Sequence, residues 1–308
     1  MYVLSIINQK GGVAKTTTAA NIADSAAQRG ARVLLVDMDI QASATKVTDA
    51  VPRTSTDAMG RERSLTISDA LAGTKQDERD EVQLGLIYKV VVPAGEHWSE
   101  NLMVAPANSD LANRNVEVFA GAHQRLAQAL SAPKGYSDGF DLAVIDCGPQ
   151  LGGLFLTAVH ASDAVILATE AADFSMEGLP LTFEVLAQVR AARDGVSPVL
   201  MGVLPTKVDL REARPTELMS VLREFYGEDL LEMVPRRSQV TKAEGARAPL
   251  RAWGAEAREV AAIYDRLAGL VLEAAGLAPS DPLPTHPADT APALLGDQRA
   301  EQQAEGGR

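Results

Sequence analysis

Residues 8–18 read Asn-Gln-Lys-Gly-Gly-Val-Ala-Lys-Thr-Thr-Thr, directly after the apolar run Tyr2-Val3-Leu4-Ser5-Ile6-Ile7 and ahead of an alanine-rich stretch. The order strand, glycine loop, Lys-Thr, helix is what a phosphate group asks of a chain. It needs consecutive backbone N–H groups curled around the anion, a helix N-terminus aimed at it, a lysine for the outer oxygens and a hydroxyl for Mg²⁺. Gly11, Gly12, Lys15 and Thr16 match these roles, with Val13, Ala14 and Thr17 completing the loop and first helical turn. A second lysine, Lys10, stands five residues before Lys15 at the mouth of the loop, where an ordinary phosphate loop requires none.

Glycine-rich turns between a strand and a helix also arise for conformational reasons alone, so the surrounding chain matters. The run Arg32-Val33-Leu34-Leu35-Val36-Asp37-Met38-Asp39-Ile40-Gln41 ends in two carboxylates at alternating positions, and Asp141-Leu142-Ala143-Val144-Ile145-Asp146-Cys147-Gly148-Pro149 ends in one. Ligands of open parallel sheets lie at the carboxyl ends of the strands. Three strands ending in Gly-Lys-Thr, Asp-x-Asp and Asp are therefore expected to converge on one Mg²⁺–nucleotide site. The ordinary alternative, strand-end carboxylates that cap unrelated helices, does not account for all three motifs together.

With these motifs, and with Pro106-Ala107-Asn108-Ser109-Asp110-Leu111-Ala112 and Val234-Pro235-Arg236, the chain resembles the ParA/MinD family of deviant Walker-A ATPases, within it the ParA-type partition ATPases. The resemblance runs over nearly all of residues 1–275. Ala14 stands where the family usually has Gly, and Ile40 where it usually has Pro; a Cβ at position 14 is expected to alter nucleotide affinity or turnover. The resemblance implies an ATPase that uses ATP and Mg²⁺. Lys15 would contact the β/γ-phosphates, Thr16 would ligate Mg²⁺, Asp146 would hold the metal through water, and Asp37 would support that shell. Asp39, on the same strand face as Asp37, would orient the attacking water. Pro235 and Arg236 would lie near the adenine. Lys10 would reach the partner's phosphates across a two-fold interface, so that ATP joins a homodimer and hydrolysis releases it.

Composition agrees with one α/β unit. At 308 residues with 46 % hydrophobic content the chain can bury a large core, and all its motifs belong to one sheet. The expected architecture is a doubly wound, mostly parallel sheet flanked by helices over residues 1–277, with strands near 2–8, 32–38, 102–105, 141–146, 164–169, 199–205 and 230–234. A helix is expected over Thr16–Arg29, stopped by Gly30, another opening in Ser64–Leu71, and a core-facing one within Arg258–Leu277. Residues 50–100 carry the least information. Pro279, Pro282, Pro284, Pro287 and Pro292 mark residues 278–308 as a disordered, proline-rich acidic tail. Cys147 is the single cysteine, which excludes a disulfide framework, and the four histidines have no ligand-like spacing. No signal peptide precedes the first strand and no apolar run reaches the roughly 18 residues of a bilayer span. A cytoplasmic, nucleoid-associated protein is expected.

Two branches of the family differ in their surface. A MinD-like membrane switch ends in a basic amphipathic helix, which the acidic, proline-rich end of this chain lacks. DNA is then the expected surface, against which the formal net charge of −12 acts unless cations are segregated. Between Pro235 and Arg258 stand six cations (Arg236, Arg237, Lys242, Arg247, Arg251, Arg258) against Glu244 and Glu256, a local net of +4. Lys207, Arg211 and Arg214 form a second, diluted cluster. Such a run is ordinarily a solvated face. The resemblance turns it into an expectation of nonspecific double-stranded DNA binding by the ATP dimer, with turnover stimulated by a ParB-like centromere-binding protein. The remaining alternatives are a P-loop ligase or amidase-type enzyme, and an ATP-gated DNA regulator with negligible hydrolysis.

Overall fold

The structure is a computed structural model that describes residues 1–56, 59–72, 87–116, 121–131, 139–149, 151–170, 179–209 and 215–277. Its strands are β1 (Tyr2–Ile7), β2 (Val33–Met38), β3 (Thr54–Thr56), β4 (Glu62–Ser64), β5 (Val92–Pro93), β6 (Leu102–Ala105), β7 (Leu142–Cys147), β8 (Ala164–Glu170) and β9 (Val199–Thr206). Seven of them form one sheet in the order β5-β6-β2-β7-β1-β8-β9. Every pairing in it is parallel except β5 on β6. The antiparallel pair β3–β4 forms a second, two-stranded sheet.

The central strands read as unbroken apolar runs because both faces are covered, as parallel sheets require. Along each strand alternate residues divide between two cores. Leu4, Ile6, Val33, Leu35, Leu142 and Val144 face the helices Lys15–Gln28 and Arg258–Ala274. Val3, Ile7, Leu34, Val36, Ala143 and Ile145 face helices that include Ile67–Ala72, Gly153–Ala161 and Leu179–Ala192. Helix Lys15–Gln28 ends as expected at Gly30, whose φ of 90° glycine adopts without penalty. Against it packs the terminal helix Arg258–Ala274, locked by Arg29 on Asp265 (2.7 Å) and by a 3.3 Å contact between Thr18 Oγ1 and the Tyr264 hydroxyl. That helix faces the core, as its apolar spacing predicts.

One expected strand is absent from the structure. Residues 230–234 form no strand; they touch β9 and its exit through isolated parallel bridges, Val203 with Leu230 and Val208 with Pro235. Pro205 and Pro235 lack the N–H that a continuous ladder needs. The helix expected to open in Ser64–Leu71 does so at Ile67: Ser64 belongs to β4, and the Thr66 N–H donates to Asp69 Oδ2 at 2.9 Å, closing the turn that starts the helix. The β3–β4 pair and β5, both inside the uninformative stretch 50–100, gave no sequence signal. The predicted tail 278–308 lies outside the described residues.

The register does what function needs. Asp37 of β2 pairs with Asp146 of β7, and Ile6 of β1 pairs with Asp146 on the other side. The loop that follows β1 is thereby set beside both carboxylates at the sheet's C-terminal edge. Since Tyr264 is 1 % exposed and joins the terminal helix to the loop helix, Tyr264→Ala is expected to cost about 3–5 kcal/mol and Tyr264→Phe about 1 kcal/mol, measured by urea denaturation.

Candidate phosphate and metal site

Backbone and side chains hold the loop open between β1 and its helix. Asn8 is the first brace: its Nδ2 donates to the Ala168 carbonyl (2.7 Å) while its Oδ1 accepts from the Lys10 N–H (2.9 Å). Gly12 turns at φ 79° and Ala14 at φ 61°, ψ 28°. Ala14 thus occupies the left-handed region that glycine enters freely, and a Cβ there costs roughly 1–2 kcal/mol. Lys15 is 6 % exposed and its Nζ donates to the Lys10 carbonyl at 2.7 Å, folding back over the centre of the loop. Burial lowers its pKa, against the opposing pull of Asp146, Cys147 and Asp39. Lys10 itself is exposed at the mouth.

Under the loop lie three acids in different states. Thr16 Oγ1 donates to Asp146 Oδ2 at 2.7 Å. The other oxygen of Asp146 is buried with no hydrogen-bond partner. Burial, then the charge of Asp37, raises the Asp146 pKa well above the carboxylate range, with Thr16 and Lys15 pulling the other way. Asp37 is pushed to about 6 by burial although Thr45 donates both its hydroxyl (2.7 Å) and its N–H (2.8 Å), and Asp39 its N–H (3.1 Å). With both oxygens held by protein donors, Asp37 stands as a buttress; Thr45 in turn accepts the Ala107 N–H at 2.9 Å. Asp39 is partly exposed, faces the cleft, and accepts the Gln41 N–H at 3.0 Å.

The orphaned Asp146 oxygen beside the Thr16 hydroxyl is a donor pair suited to a hard divalent cation. Mg²⁺ fits these residues. Thr16 would ligate it and Asp146 would hold its shell, while Asp37 supports from behind.

Above the loop opens a cleft of about 1420 Å³, lined by Gly11, Gly12 and Ala14 to Thr17 of the loop and, outside it, by Lys207, Asp209, Pro235, Arg236 and Arg237 among others. Two residues at the end of β9 brace the loop. Thr206 Oγ1 contacts the Val13 carbonyl (3.0 Å) and the Thr169 carbonyl (3.1 Å), and Lys207, at φ 53°, donates its Nζ to the Gly12 carbonyl. Lys207 is thereby tied to the loop; Arg211 and Arg214, its companions in the second basic cluster, lie outside the described residues. Their position directly after a predicted strand was the available signal for Thr206 and Lys207. Glu244, counted in the sequence only as a dilution of positive charge, lies in the same cleft and accepts the Thr17 hydroxyl.

The basic segment is less uniform than its charge count. Arg236 and Lys242 are exposed. Arg237 grips Glu259 (2.8 Å), and Arg247 is ion-paired with Asp49. Arg251 chelates the buried Asp24 through Nε (2.5 Å) and Nη2 (3.1 Å). A carboxylate only 1 % exposed needs such a counter-charge, which gives Arg251 a structural role.

A family model described as an AAA domain matches residues 1–196. The sporulation initiation inhibitor protein Soj of Bacillus subtilis is 31 % identical over 275 residues, covering 84 % of this chain and 98 % of that protein. The chromosome partitioning protein ParA of Caulobacter vibrioides is 31 % identical over 248 residues, 79 % of this chain and 84 % of its own. Among solved structures, cobyrinic acid a,c-diamide synthase from Mycobacterium smegmatis with bound ADP and magnesium superposes with a TM-score of 0.65 at 27 % identity, covering 89 % of this chain and 94 % of that one. An ATP complex of Cyanothece McdA gives a TM-score of 0.70 at 19 % identity over 90 % of this chain and 97 % of that one, a likeness of fold.

Asp146→Asn replaces a buried acid that has one oxygen without a hydrogen-bond partner and whose charged form burial disfavours. The metal-free variant is expected to be at least as stable as wild type in thermal melting, while calorimetry shows the Mg²⁺-dependent part of ATP binding weakened about 10–100-fold. Loss of stability with unchanged Mg²⁺ dependence would contradict the metal assignment.

Proposed function

The chain belongs to the ParA/Soj family of P-loop ATPases, and from that premise we propose that it is a Mg·ATP-dependent dimerising switch that partitions DNA. The carrying observation is the unpaired oxygen of Asp146 beside Thr16, directly below an anion loop bearing two lysines. When bound, Mg²⁺ supplies charge neutralisation for the γ-phosphate and its leaving group. The chain's own residues do the rest. The loop N–H groups and Lys15 cradle the β- and γ-phosphates, for which Lys15 gives up the Lys10 carbonyl. Asp39, the cleft-facing acid of the three, orients a water for in-line attack. Lys10, exposed at the mouth, reaches the phosphates of a second copy and makes ATP part of the dimer interface. Pro235 and Arg236 frame the base.

DNA is the surface that this reading assigns to the ATP dimer. The available charge of one subunit is small, because Arg237, Arg247 and Arg251 are matched to acids of their own chain. Arg236 and Lys242 remain on the solvent side, and two copies of a weak patch are needed to hold a duplex. On this reading the protein works in the cytoplasm on the nucleoid, with a ParB-like protein as the stimulating partner. No helix among the described residues is long and apolar enough to cross a membrane. An amide-forming enzyme is a second reading, favoured by the likeness to the cobyrinic acid a,c-diamide synthase structure. ATPase rates measured with and without duplex DNA and the product of the neighbouring gene separate the two: turnover stimulated by DNA and that product supports partitioning, and indifference to both defeats it.

Lys10→Ala is expected to keep nucleotide affinity in the monomer while light scattering shows no ATP-dependent dimer and hydrolysis is lost; a normal dimer would refute the trans role. Asp39→Ala is expected to bind ATP and dimerise but to hydrolyse at least about 100-fold more slowly, since water orientation matters only on the way to the transition state. Arg236→Ala combined with Lys242→Ala is expected to weaken binding equally across unrelated duplexes. The log–log salt slope of the dimer should fall by about one unit for each DNA phosphate no longer neutralised, read by fluorescence anisotropy.

A further inference from the structure

Helix Lys15–Gln28 carries Thr17, Asn21 and Asp24 at i, i+4 and i+7, which is one face. Each of the three holds one point of the segment Glu244–Arg251. Asn21 Oδ1 accepts the Leu250 N–H at 2.9 Å, and Asp24 takes the Arg251 guanidinium at 2.5 and 3.1 Å. These two anchors are buried and tied further into the fold: Asn21 Nδ2 donates to the Thr17 carbonyl (2.9 Å), and Asp24 accepts the Ser99 N–H (2.9 Å). The third anchor differs in kind. Glu244, near the end of helix Ser238–Gly245, inserts a carboxylate into the anion cleft and accepts the Thr17 hydroxyl.

Thr17 lies in the first turn of the loop helix, whose N–H groups have no intrahelical partner and point toward an arriving phosphate. A phosphate seated there competes with Glu244 for the Thr17 hydroxyl and places a second negative charge beside the carboxylate. Repulsion at this distance in a partly enclosed cleft is far stronger than on an open surface.

We propose that the Thr17–Glu244 contact is a nucleotide-released clasp: phosphate in the loop expels Glu244 and frees helix Ser238–Gly245, which bears Lys242, to swing about the Asn21 and Asp24 anchors. The inference rests on the nucleotide-binding reading given above and adds to it the route by which an occupied loop alters the basic segment. Coupling of this kind is reciprocal, so whatever holds the released helix also tightens nucleotide binding.

Glu244→Gln tests it, because the isosteric amide keeps an acceptor for Thr17 and removes only the charge. Calorimetry with a non-hydrolysable ATP analogue and Mg²⁺ is expected to show about 5-fold or more tighter binding than wild type. In hydrogen exchange, the analogue is expected to speed the amides of residues 238–245 in wild type and to change them much less in the variant. Asp24→Asn is the control for a merely structural contact: it lowers the melting temperature without tightening nucleotide binding. Equal or weaker binding by Glu244→Gln, or wild-type amides of 238–245 that ignore the analogue while it binds tightly, overturns the clasp and leaves the ATPase reading standing. Wild type that binds no analogue at all overturns both.

Discussion

Parallel pairing sends the C-terminal ends of all paired strands to the same edge of a sheet, and this protein's chemistry is confined to that edge. β1 delivers the anion loop, β2 delivers Asp37 and Asp39, β7 delivers Asp146, and β9 delivers Thr206 and Lys207. The register pairs Asp37 with Asp146 across β2 and β7, next to the strand that feeds the loop. A slip of one residue in either strand would turn an acid into one of the apolar cores. The two buried cores on either face oppose such a slip, so the packing of the sheet and the geometry of the site are one constraint.

That constraint has an electrostatic cost. Asp37 and Asp146 are buried at neighbouring register positions, each raised in pKa first by loss of water and then by its acidic neighbours. Asp37 is relieved by three protein donors, whereas Asp146 is relieved on one oxygen only. The asymmetry divides labour between two chemically identical side chains: one is finished by the protein and serves as scaffold, the other is left incomplete and calls for a cation. Ala14 carries a related strain in the backbone, held at φ 61° where glycine would sit at ease. Such strain persists because Asn8, Thr206 and Lys207 tie the loop on both sides.

The face opposite the loop shows how far a charge count departs from a charge surface. Arg237, Arg247 and Arg251 look alike in the sequence, yet each is matched to a carboxylate outside its own segment. Asp49 lies 198 residues before Arg247, and Asp24 lies 227 residues before Arg251. The same folding-back brings Glu244 onto Thr17, joining the most basic segment of the chain to the first turn of the loop helix.

Much of this was legible in the amino-acid order. The loop, the strands ending in Asp37, Asp39 and Asp146, the parallel doubly wound sheet, the Gly30 stop and the core-facing terminal helix all rest on local signals: period, glycine placement and short-range order of residue types. What escaped had no local signal. Proline at 205 and 235 interrupts a ladder only because the two segments meet, and the short strands of residues 50–100 are too brief to show a period. Arg251 becomes structural, Lys207 joins the loop and Glu244 enters the cleft only when distant segments are packed together. Which chemistry the chain can hold is written locally, because phosphate and metal ligation demand particular atoms at particular spacings. Which charges remain available to perform it is settled by the packed molecule, because a carboxylate or guanidinium is neutralised or left open by whatever long-range packing sets beside it.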